Sequence, residues 1–462
     1  MTTTQRWTLA LASTASLMVG LDALVVVTAL TAIRHSLGAG VADLEWTINA
    51  YTLAFAVLLL TASAIGDRVG RRRMLAVGLG VFAAASAACA LAPGVGLLIA
   101  ARAVQGAGAA MTMPAAFALV GSAFGPRERG KAMGIFAGIT GLAILGGPVL
   151  GGLVVQGLDW QWIFWLNVPI GVLAVPLVLG RVTESVGPAR PIDVGGVVLS
   201  GLGVLGLVWG LARGNTAGWT DGAVIGSLVG GVVLLAAFAV FEGRTRAPMV
   251  PLPLFADRTF RSANVAGLLM TAGLFGTAFF FAQYLQVGLH QSALRSGLGL
   301  LPWTATLFVV APIAGKLADR IGNRPLIVAG LLGQAAGTAW IAAATGHGYA
   351  PLVPAMMVAG IGISCAMPAV QNAVLGAVAP ESIGVASGVY NTMRQLGGAL
   401  GVAGVAAVFT ANGGYSEVAG AFRAAMLVTA AIAAAGAVAG SRVSDRRAAE
   451  FVPAAAVPVA VE

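Results

Sequence analysis

Charge is scarce in this sequence. Only 9% of its 462 residues are Asp, Glu, Lys or Arg, and the mean hydropathy is +0.91. Soluble domains carry about 25% charged residues. A water-soluble fold could not cover this much apolar surface, so the composition predicts an integral membrane protein.

Cysteine and histidine are almost missing as well. The two cysteines, Cys89 and Cys365, lie inside apolar runs without metal-ligand spacing, which predicts small buried side chains rather than a disulfide. The three histidines have no ligand-like arrangement either. We therefore expect no metal site. A glycine pattern at 201–206 spells a dinucleotide fingerprint, but it falls within an apolar run, so we expect no cofactor. The sequence offers no nucleophile–base set, which argues against an enzyme.

Long apolar runs fill most of the chain. A spanning helix needs roughly 20 mostly apolar residues, and fourteen stretches meet this requirement with short connections. The first run, near Leu9 to Ile33, exceeds the roughly 7–15 residues of a signal-peptide core and contains Asp22. Residues 444–462 are rich in Ala, Pro and Val, and we expect a disordered cytoplasmic tail there.

The basic residues are unevenly placed. With the N-terminus inside, most of the 26 Lys and Arg residues fall in connections on the same side as the termini. The exceptions are four on the other side (Arg34, Arg213, Arg295 and Arg423) and two within spans (Arg102 and Arg394). By the positive-inside rule, both termini are predicted to be cytoplasmic. This placement explains the basic pI without a nucleic-acid partner.

The sequence contains an internal repeat. An Asp-Arg-x-Gly loop occurs at 67–70 and again at 319–322, each between two apolar runs. A nearly identical offset relates Gly106 to Gly360 and Pro114 to Pro368. Spans 1–6 therefore match spans 9–14, and we expect two six-helix bundles at 1–185 and 246–443. Residues 186–245 match neither half and are predicted to be two inserted spans.

Several motifs together resemble the major facilitator superfamily, and more closely its 14-helix drug:proton antiporters of the EmrB/QacA type. The resemblance covers essentially the whole chain. It rests on the repeated loop, on Leu21-Asp22 in span 1, on the run from Arg102 to Gly106 in span 4, on the run from Gly147 to Gly152 in span 5, and on the run from Trp162 to Gly171 in span 6. It implies a major facilitator fold that works by alternating access.

The repeated loop is expected to act as an inner gate. The resemblance implies that Asp67 meets the start of span 13 near Gly384, where a helix N-terminus favours a carboxylate. The basic residues of the loop would then add hydrogen bonds across the gate. The alternative is simple positive-inside anchoring. The predicted gate residues are Asp67, Arg68, Gly70, Arg71, Asp319 and Arg320.

Buried charge marks the expected proton site. Asp22 is the only carboxylate that the sequence places deep in a span, where a charge is costly and a proton path is the favoured interpretation. A permanent structural ion pair is the alternative. Arg102 could hold Asp22 charged, or its side chain could reach back to the interface. Arg394 is a third charge within a span, and its role is left open between substrate contact, pairing and backbone capping.

Two further residue sets are predicted. The antiporter-type motif consists of Gly147, Pro148, Gly151 and Gly152, which would permit a kink and close packing. The residues that could line a substrate cavity are Tyr51, Gln105, Gln283, Tyr284, Trp303, Asn391 and Arg394.

We therefore expect a proton-coupled exporter of hydrophobic or amphipathic, often cationic, drugs or antibiotics. We expect it to act as a monomer in the bacterial plasma membrane. Its partners would be a small drug-like molecule, protons and the lipid bilayer. The alternative is a proton-coupled symporter or an exporter of a specific polar metabolite. A membrane sensor without transport is less favoured, because it would need no buried Asp22 and Arg102.

Overall fold

The computed structural model describes residues 1–124, 126–187, 193–245, 248, 250, 252–378 and 382–444. Side chains are not described at 126, 127, 129–131, 137, 144, 145, 215, 216, 319 and 384. The predicted disordered tail lies outside the described residues after Ser444. Within these ranges the secondary structure is helical, and no strand is present.

The described residues form seventeen α-helices, with one short 3₁₀ segment at Leu252–Ala256 and one π-helical turn at Tyr284–Gly288. The helices of the N-terminal half are α1 (Thr3–Leu37), α2 (Val41–Val69), α3 (Arg71–Ala90), α4 (Val95–Ala123), α5 (Pro126–Gly157), α6 (Trp162–Trp165) and α7 (Asn167–Arg181). The inserted pair is α8 (Val194–Ala217) and α9 (Gly222–Glu242). The C-terminal half has α10 (Arg258–Gln283), α11 (Ala293–Gly299), α12 (Leu301–Thr304), α13 (Thr306–Ile321), α14 (Asn323–Ala344), α15 (Leu352–Gly376), α16 (Ile383–Ala411) and α17 (Val418–Gly440).

Fourteen spans of sufficient length and apolarity arise from these helices, which confirms the predicted number. Two spans are broken. Span 6 consists of α6 and α7, which are separated at Leu166, and span 10 is assembled from α11, α12 and α13. The sequence predicted each of them as one continuous helix, because hydropathy alone does not register a short interruption inside an apolar run.

Both copies of the Asp-Arg-x-Gly loop turn the chain in the same way. Gly70 ends α2 with φ = 116°, and Gly322 ends α13 with φ = 89°. A side chain is strongly disfavoured in this backbone region, so glycine at these two positions makes the tight reversal into the next helix possible. We call the end of the molecule that holds these loops the basic end, and the other one the opposite end.

The two halves meet at the opposite end. Helix α5 packs on α11, α1 approaches α10, and α2 runs along α16. Across this seam, Gln286 Nε2 donates to the Thr28 carbonyl over 3.0 Å, and Ser292 Oγ donates to Gln156 Oε1 over 3.0 Å. The Arg34 guanidinium lies 3.6 Å from the centre of the Tyr415 ring. These contacts close the opposite end.

The inserted pair covers one side of the seam. Helix α8 packs on both α2 and α16, and Leu53, Val204 and Ala399 belong to one buried apolar cluster there. The other side of the seam is not covered in this way. It holds an apolar cavity of about 430 Å³ between α1, α5 and α12, lined by Leu17, Leu21, Leu142, Gly146, Val149, Leu150 and Leu301.

Candidate functional site

Asp22 and Arg102 form an ion pair inside the N-terminal half. Asp22 lies in the middle of α1 and is 3% exposed, and Arg102 lies two turns into α4 and is 1% exposed. An Arg102 terminal nitrogen donates to Asp22 Oδ2. The sequence alternative in which Arg102 reaches back to the membrane interface is therefore wrong for this conformation, because its guanidinium is buried against the carboxylate.

The other carboxylate oxygen is held by two amides. Gln105 Nε2 and Asn167 Nδ2 each donate to Asp22 Oδ1 over 2.8 Å. Both amides also donate to the Ser86 hydroxyl, over 3.3 Å and 3.1 Å respectively. Ser86 in turn donates to the Phe164 carbonyl. Asp22 is thus surrounded by donors from α4 and α7, and α3 supplies the hydroxyl behind them.

Arg102 has further partners that fix its position. Its Nε donates to the Thr47 carbonyl over 3.1 Å, and an Nη donates to Gln105 Oε1 over 2.8 Å. The guanidinium carbon lies 4.3 Å from the centre of the Tyr51 ring and 5.8 Å from that of Phe164. Aromatic faces attract a cation at these separations. The charge is therefore retained in an apolar region by one carboxylate, two acceptors and two rings.

The hydrogen bonds that surround Asp22 depend on its negative charge. A buried ion pair is stable only when its hydrogen bonds are complete, and removing one partner typically costs about 3–5 kcal/mol. A proton on Asp22 would remove the charge that Arg102, Gln105 and Asn167 are all arranged around. Proton binding would therefore rearrange contacts on several helices, rather than on one side chain.

Several members of this cluster were not predicted as site residues. Asn167 and the Thr47 carbonyl contact the pair, and Ser86 contacts the two amides behind it, although no role was predicted for any of the three. Asn167 lies within the apolar run from Trp162 to Gly171, and an amide in such a run could have indicated a buried polar contact. Thr47 contributes only its backbone carbonyl, and nothing in its side chain could have indicated this.

Asp22 is not the only carboxylate buried in a span, contrary to the sequence expectation. Glu45 lies in the second turn of α2 and is 2% exposed. The helix begins at Val41, so Glu45 lies one turn inside it. Neighbouring helices therefore cover the Glu45 side chain.

The antiporter-type motif lies where α5 meets its neighbours most closely. A Cβ at Gly147 would lie 2.7 Å from Leu24 Cβ, and one at Gly151 would lie 2.7 Å from the Val25 carbonyl oxygen, both on α1. At Gly152 it would lie 2.9 Å from Leu294 Cα in the other half. Pro148 falls inside the helix, and its carbonyl faces Gly297. The motif thus joins α1, α5 and α11 at the opposite-end seam.

The contacts of the first gate loop differ from those predicted. Asp67 accepts a hydrogen bond from Arg71 Nε over 2.8 Å, and no described hydrogen bond or ion pair joins it to α16. Arg71 also donates to Ser185 Oγ over 3.3 Å. In this conformation the loop bonds to the segment after α7, within the N-terminal half, and the gate contact with α16 stays a prediction. Arg68 is exposed.

Glu184 is a further partner that the sequence did not indicate. It accepts from the Arg72 backbone N–H over 2.8 Å and forms ion pairs with Arg72 and Arg73. In the second loop copy, Arg320 is exposed and the Asp319 side chain lies outside the description. A gate contact of Asp319 is therefore still only a prediction.

The predicted cavity residues fall into three groups. Tyr51 and Gln105 belong to the buried cluster around Asp22. Gln283, Tyr284 and Trp303 are buried within the C-terminal half, where the Gln283 Oε1 accepts from Tyr415 and the Tyr284 ring stacks on Phe422 at 4.2 Å. Asn391 and Arg394 on α16 are half-buried. Helix α16 packs on α2 of the other half, and a substrate role for these two residues stays a prediction.

Comparison with known proteins identifies relatives over most of the chain. The family profile described as Major Facilitator Superfamily matches residues 12–402 and, in a second match, 263–460. A puromycin resistance protein of Streptomyces alboniger is 37% identical over 428 residues, covering 89% of this chain and 85% of that protein. The tetracenomycin C resistance and export protein of Streptomyces glaucescens is 34% identical over 392 residues, covering 84% and 72%.

Solved structures show the same fold. A bacterial homologue of the human lysosomal transporter Spinster, in an inward-facing and unoccupied conformation, superposes with a TM-score of 0.69. It is 16% identical, and the alignment covers 96% of this chain and 98% of that one.

Proposed function

Because the chain belongs to the major facilitator superfamily, we propose that it exports hydrophobic or amphipathic drug-like compounds, antibiotics among them, in exchange for protons. Two of its relatives are named for tetracenomycin C resistance and export and for puromycin resistance. The observation that carries the coupling is the buried Asp22–Arg102 pair with its two amide donors. Charges inside a membrane protein mark ion and proton pathways.

In the proposed cycle, a proton reaches Asp22 while the opposite end is open, and that end faces the outside. Neutral Asp22 no longer balances the Arg102 charge. The helices that contact the pair, α1, α2, α4 and α7, then adjust their packing, and the opposite end closes. With the opposite end closed, the proton leaves to the cytoplasm and the drug binds from the cytoplasm. The opposite end then opens again, which returns the transporter to its starting state and releases the drug outside.

The energy for this exchange comes from the membrane. Each charge that moves inward supplies about 2.3 kcal/mol per 100 mV, and each unit of pH difference adds about 1.4 kcal/mol. One proton at ordinary gradients could therefore concentrate a neutral compound on the outside several hundred-fold. The basic end would face the cytoplasm, in the inner membrane of a bacterium.

Proton movement in reconstituted vesicles tests the proposal. When puromycin or tetracenomycin C is added to wild-type vesicles with a pH gradient, the pH of the vesicle lumen should change. Asp22→Asn should insert normally and still bind the compound, but it should give no pH change and no accumulation. If Asp22→Asn exchanges protons at the wild-type rate, Asp22 is only structural and the mechanism is wrong.

The vesicle assay, together with the drug susceptibility of a host strain, separates the alternative functions. A symporter would move protons and compound in the same direction, and it would lower rather than raise the resistance of a host strain. A transporter of one polar metabolite would leave susceptibility to all hydrophobic compounds unchanged when the gene is deleted or overexpressed.

A further inference from the structure

Glu45 is buried without a cation. It is 2% exposed, and it accepts one hydrogen bond, from Asn49 Nδ2 over 3.3 Å. Among the described residues none forms an ion pair with it. A carboxylate out of water and without a partner charge is unstable in its ionised form, and protonation removes the penalty.

Charged groups on α2 and on the helices that pack against its half of the molecule have partners of their own. Asp43 on α2 itself accepts a hydrogen bond from the Gly40 N–H, and Asp22 and Arg102 pair with each other. Three arginines lie on aromatic rings: Arg34 lies on Tyr415, Arg213 of α8 lies 5.3 Å from Trp209, and Arg394 of α16 lies 5.6 Å from Tyr390. None of them neutralises Glu45 in this conformation.

Asn49, the hydrogen-bond partner of Glu45, has an unsatisfied acceptor. Its Oδ1 is buried and has no hydrogen-bond donor among the described residues. A carboxylic acid and a primary amide can exchange two hydrogen bonds, one in each direction. A proton on Glu45 would supply the donor that Asn49 Oδ1 lacks, while Asn49 Nδ2 continues to donate to Glu45.

Glu45 also lies on the face of α2 that meets the other half. Glu45, Asn49, Leu53, Ala56 and Leu60 follow one another at intervals of four, four, three and four, which is a single helical stripe. Leu53 packs in the cluster shared with α16, and the Leu60 side chain reaches Gly388 of α16. The stripe therefore points toward the seam, and Glu45 is its member nearest to the opposite end.

We propose that Glu45 is a second proton-binding carboxylate, separate from the Asp22 site, and that it acts as a latch at the opposite end. With a proton bound, Glu45 can be covered by the seam, and the opposite end closes. Without the proton it is charged and needs water, which only an open seam provides. The proton enters and leaves from the side to which the opposite end opens. This inference rests on the proposed alternating access but not on drug export.

Two readouts that use neither a drug nor a proton gradient test the latch. The first is infrared spectroscopy of the purified transporter in lipid nanodiscs, in which a protonated carboxylic acid gives its own C=O stretching band. The band should be absent in Glu45→Gln and retained in Asp22→Asn. A band that is unchanged in Glu45→Gln would show that Glu45 is ionised when buried, and it would overturn the proposal.

The second readout is the distance between spin labels at Ser36→Cys and Asn412→Cys, which are exposed at the opposite end on the two halves. Every protein in this comparison also carries Asp22→Asn, which removes the other proposed proton site. With Glu45 intact, the ratio of closed to open molecules should fall by up to tenfold per pH unit above the pH at which Glu45 releases its proton. Glu45→Gln, which is always neutral, should remain closed across the same range. Glu417→Gln, an exposed carboxylate at the same end, should behave as the protein with Glu45 intact.

An equal pH response with Glu45→Gln and with Glu45 intact would overturn the latch, because the titrating group would then be another residue. Since both readouts are independent of transport, their failure would leave the export proposal untouched. A failure of drug–proton exchange would likewise leave these two results standing.

Discussion

Gln105 and Asn167 donate to the same oxygen atom, Oδ1 of Asp22, each over 2.8 Å. The two amides come from α4 and from the start of α7, which are distant in the chain. Because they converge on one atom, the hydrogen bonds of the Asp22 carboxylate depend on the relative positions of α1, α4 and α7. Helix packing and the charge of one side chain are therefore coupled.

Removal of Asn167 should weaken coupling without removing the ion pair. A hydrogen bond to a charged group is worth about 1.5–3 kcal/mol, which corresponds to roughly tenfold or more in an equilibrium. We expect Asn167→Ala to reduce drug-driven proton exchange about tenfold in vesicles at equal protein content. Asn412→Ala, which removes an exposed amide at the end of α16, is the control and should have no effect.

Stability should depend on both partners of the ion pair together. Arg102→Ala leaves Asp22 buried without its cation, and we expect the unfolding free energy to fall by about 3–5 kcal/mol. The double variant Asp22→Asn/Arg102→Gln removes both charges and should recover most of that loss, while coupled transport stays absent. Thermal unfolding in detergent measures the first effect and vesicle exchange the second. A double variant as unstable as Arg102→Ala would show that the pair makes no specific contribution.

Asp67 should influence transport if the repeated loop acts as the inner gate that the sequence predicts. Asp67→Asn keeps the side-chain size but removes the charge that favours a helix N-terminus by about 0.3–1 kcal/mol, or up to ~2 kcal/mol when partly buried. We expect normal insertion and export reduced about two- to tenfold. The matched control is Glu128→Gln, a carboxylate at the same end that is 54% exposed. Undiminished export by Asp67→Asn at equal expression would argue against the gate role.

Gly152 should control closure of the opposite end. A methyl group there would meet the backbone of Ala293 and Leu294 across the seam, and overpacking typically costs about 1–3 kcal/mol. Gly152→Ala should therefore shift the Ser36–Asn412 label distances toward the open population by about fivefold or more. At Gly157, in the same helix, a Cβ would meet nothing within 4 Å, so Gly157→Ala should leave the distances unchanged.

Tyr415 should contribute to the same closure through its ring. Burial raises the pKa of Tyr415 to about 12, and the nearby Arg34 guanidinium offsets only part of this effect. The phenol therefore stays neutral in the physiological range, and the contact should not vary with pH. Tyr415→Ala loses a cation–π contact worth about 0.5–2 kcal/mol and should favour the open population, whereas Tyr415→Phe keeps the ring and should change it less. Equal effects of the two variants would assign the contribution to the hydroxyl.

Sequence reasoning predicted the fold more completely than the site. Hydropathy was enough for the fourteen spans, because it depends only on composition along the chain. The two related halves and the cytoplasmic termini stay predictions from the repeated loop and the bias of the basic residues. Asp22 and Arg102 could be singled out, since a charge in an apolar run is conspicuous. That they touch each other depends on how α1 and α4 are rotated, and a pattern along one helix does not determine this.

The residues that were missed share a physical cause. Asn167 and Ser86 are ordinary polar residues until the packing of α3 and α7 brings them behind Asp22. Glu45 was not singled out, because its burial depends on where α2 begins and on what covers it. The gate loop was predicted to contact α16, and its actual partners follow α7 in a segment that carries no motif.

All the side chains that surround Asp22 come from the first 167 residues of the chain. None of the described contacts of the ion pair is made by the C-terminal half. This separation has an evolutionary consequence. Under the proposed export cycle, a substitution in the C-terminal half leaves every described contact of the ion pair in place, so that half can change one residue at a time without loss of the proposed proton site.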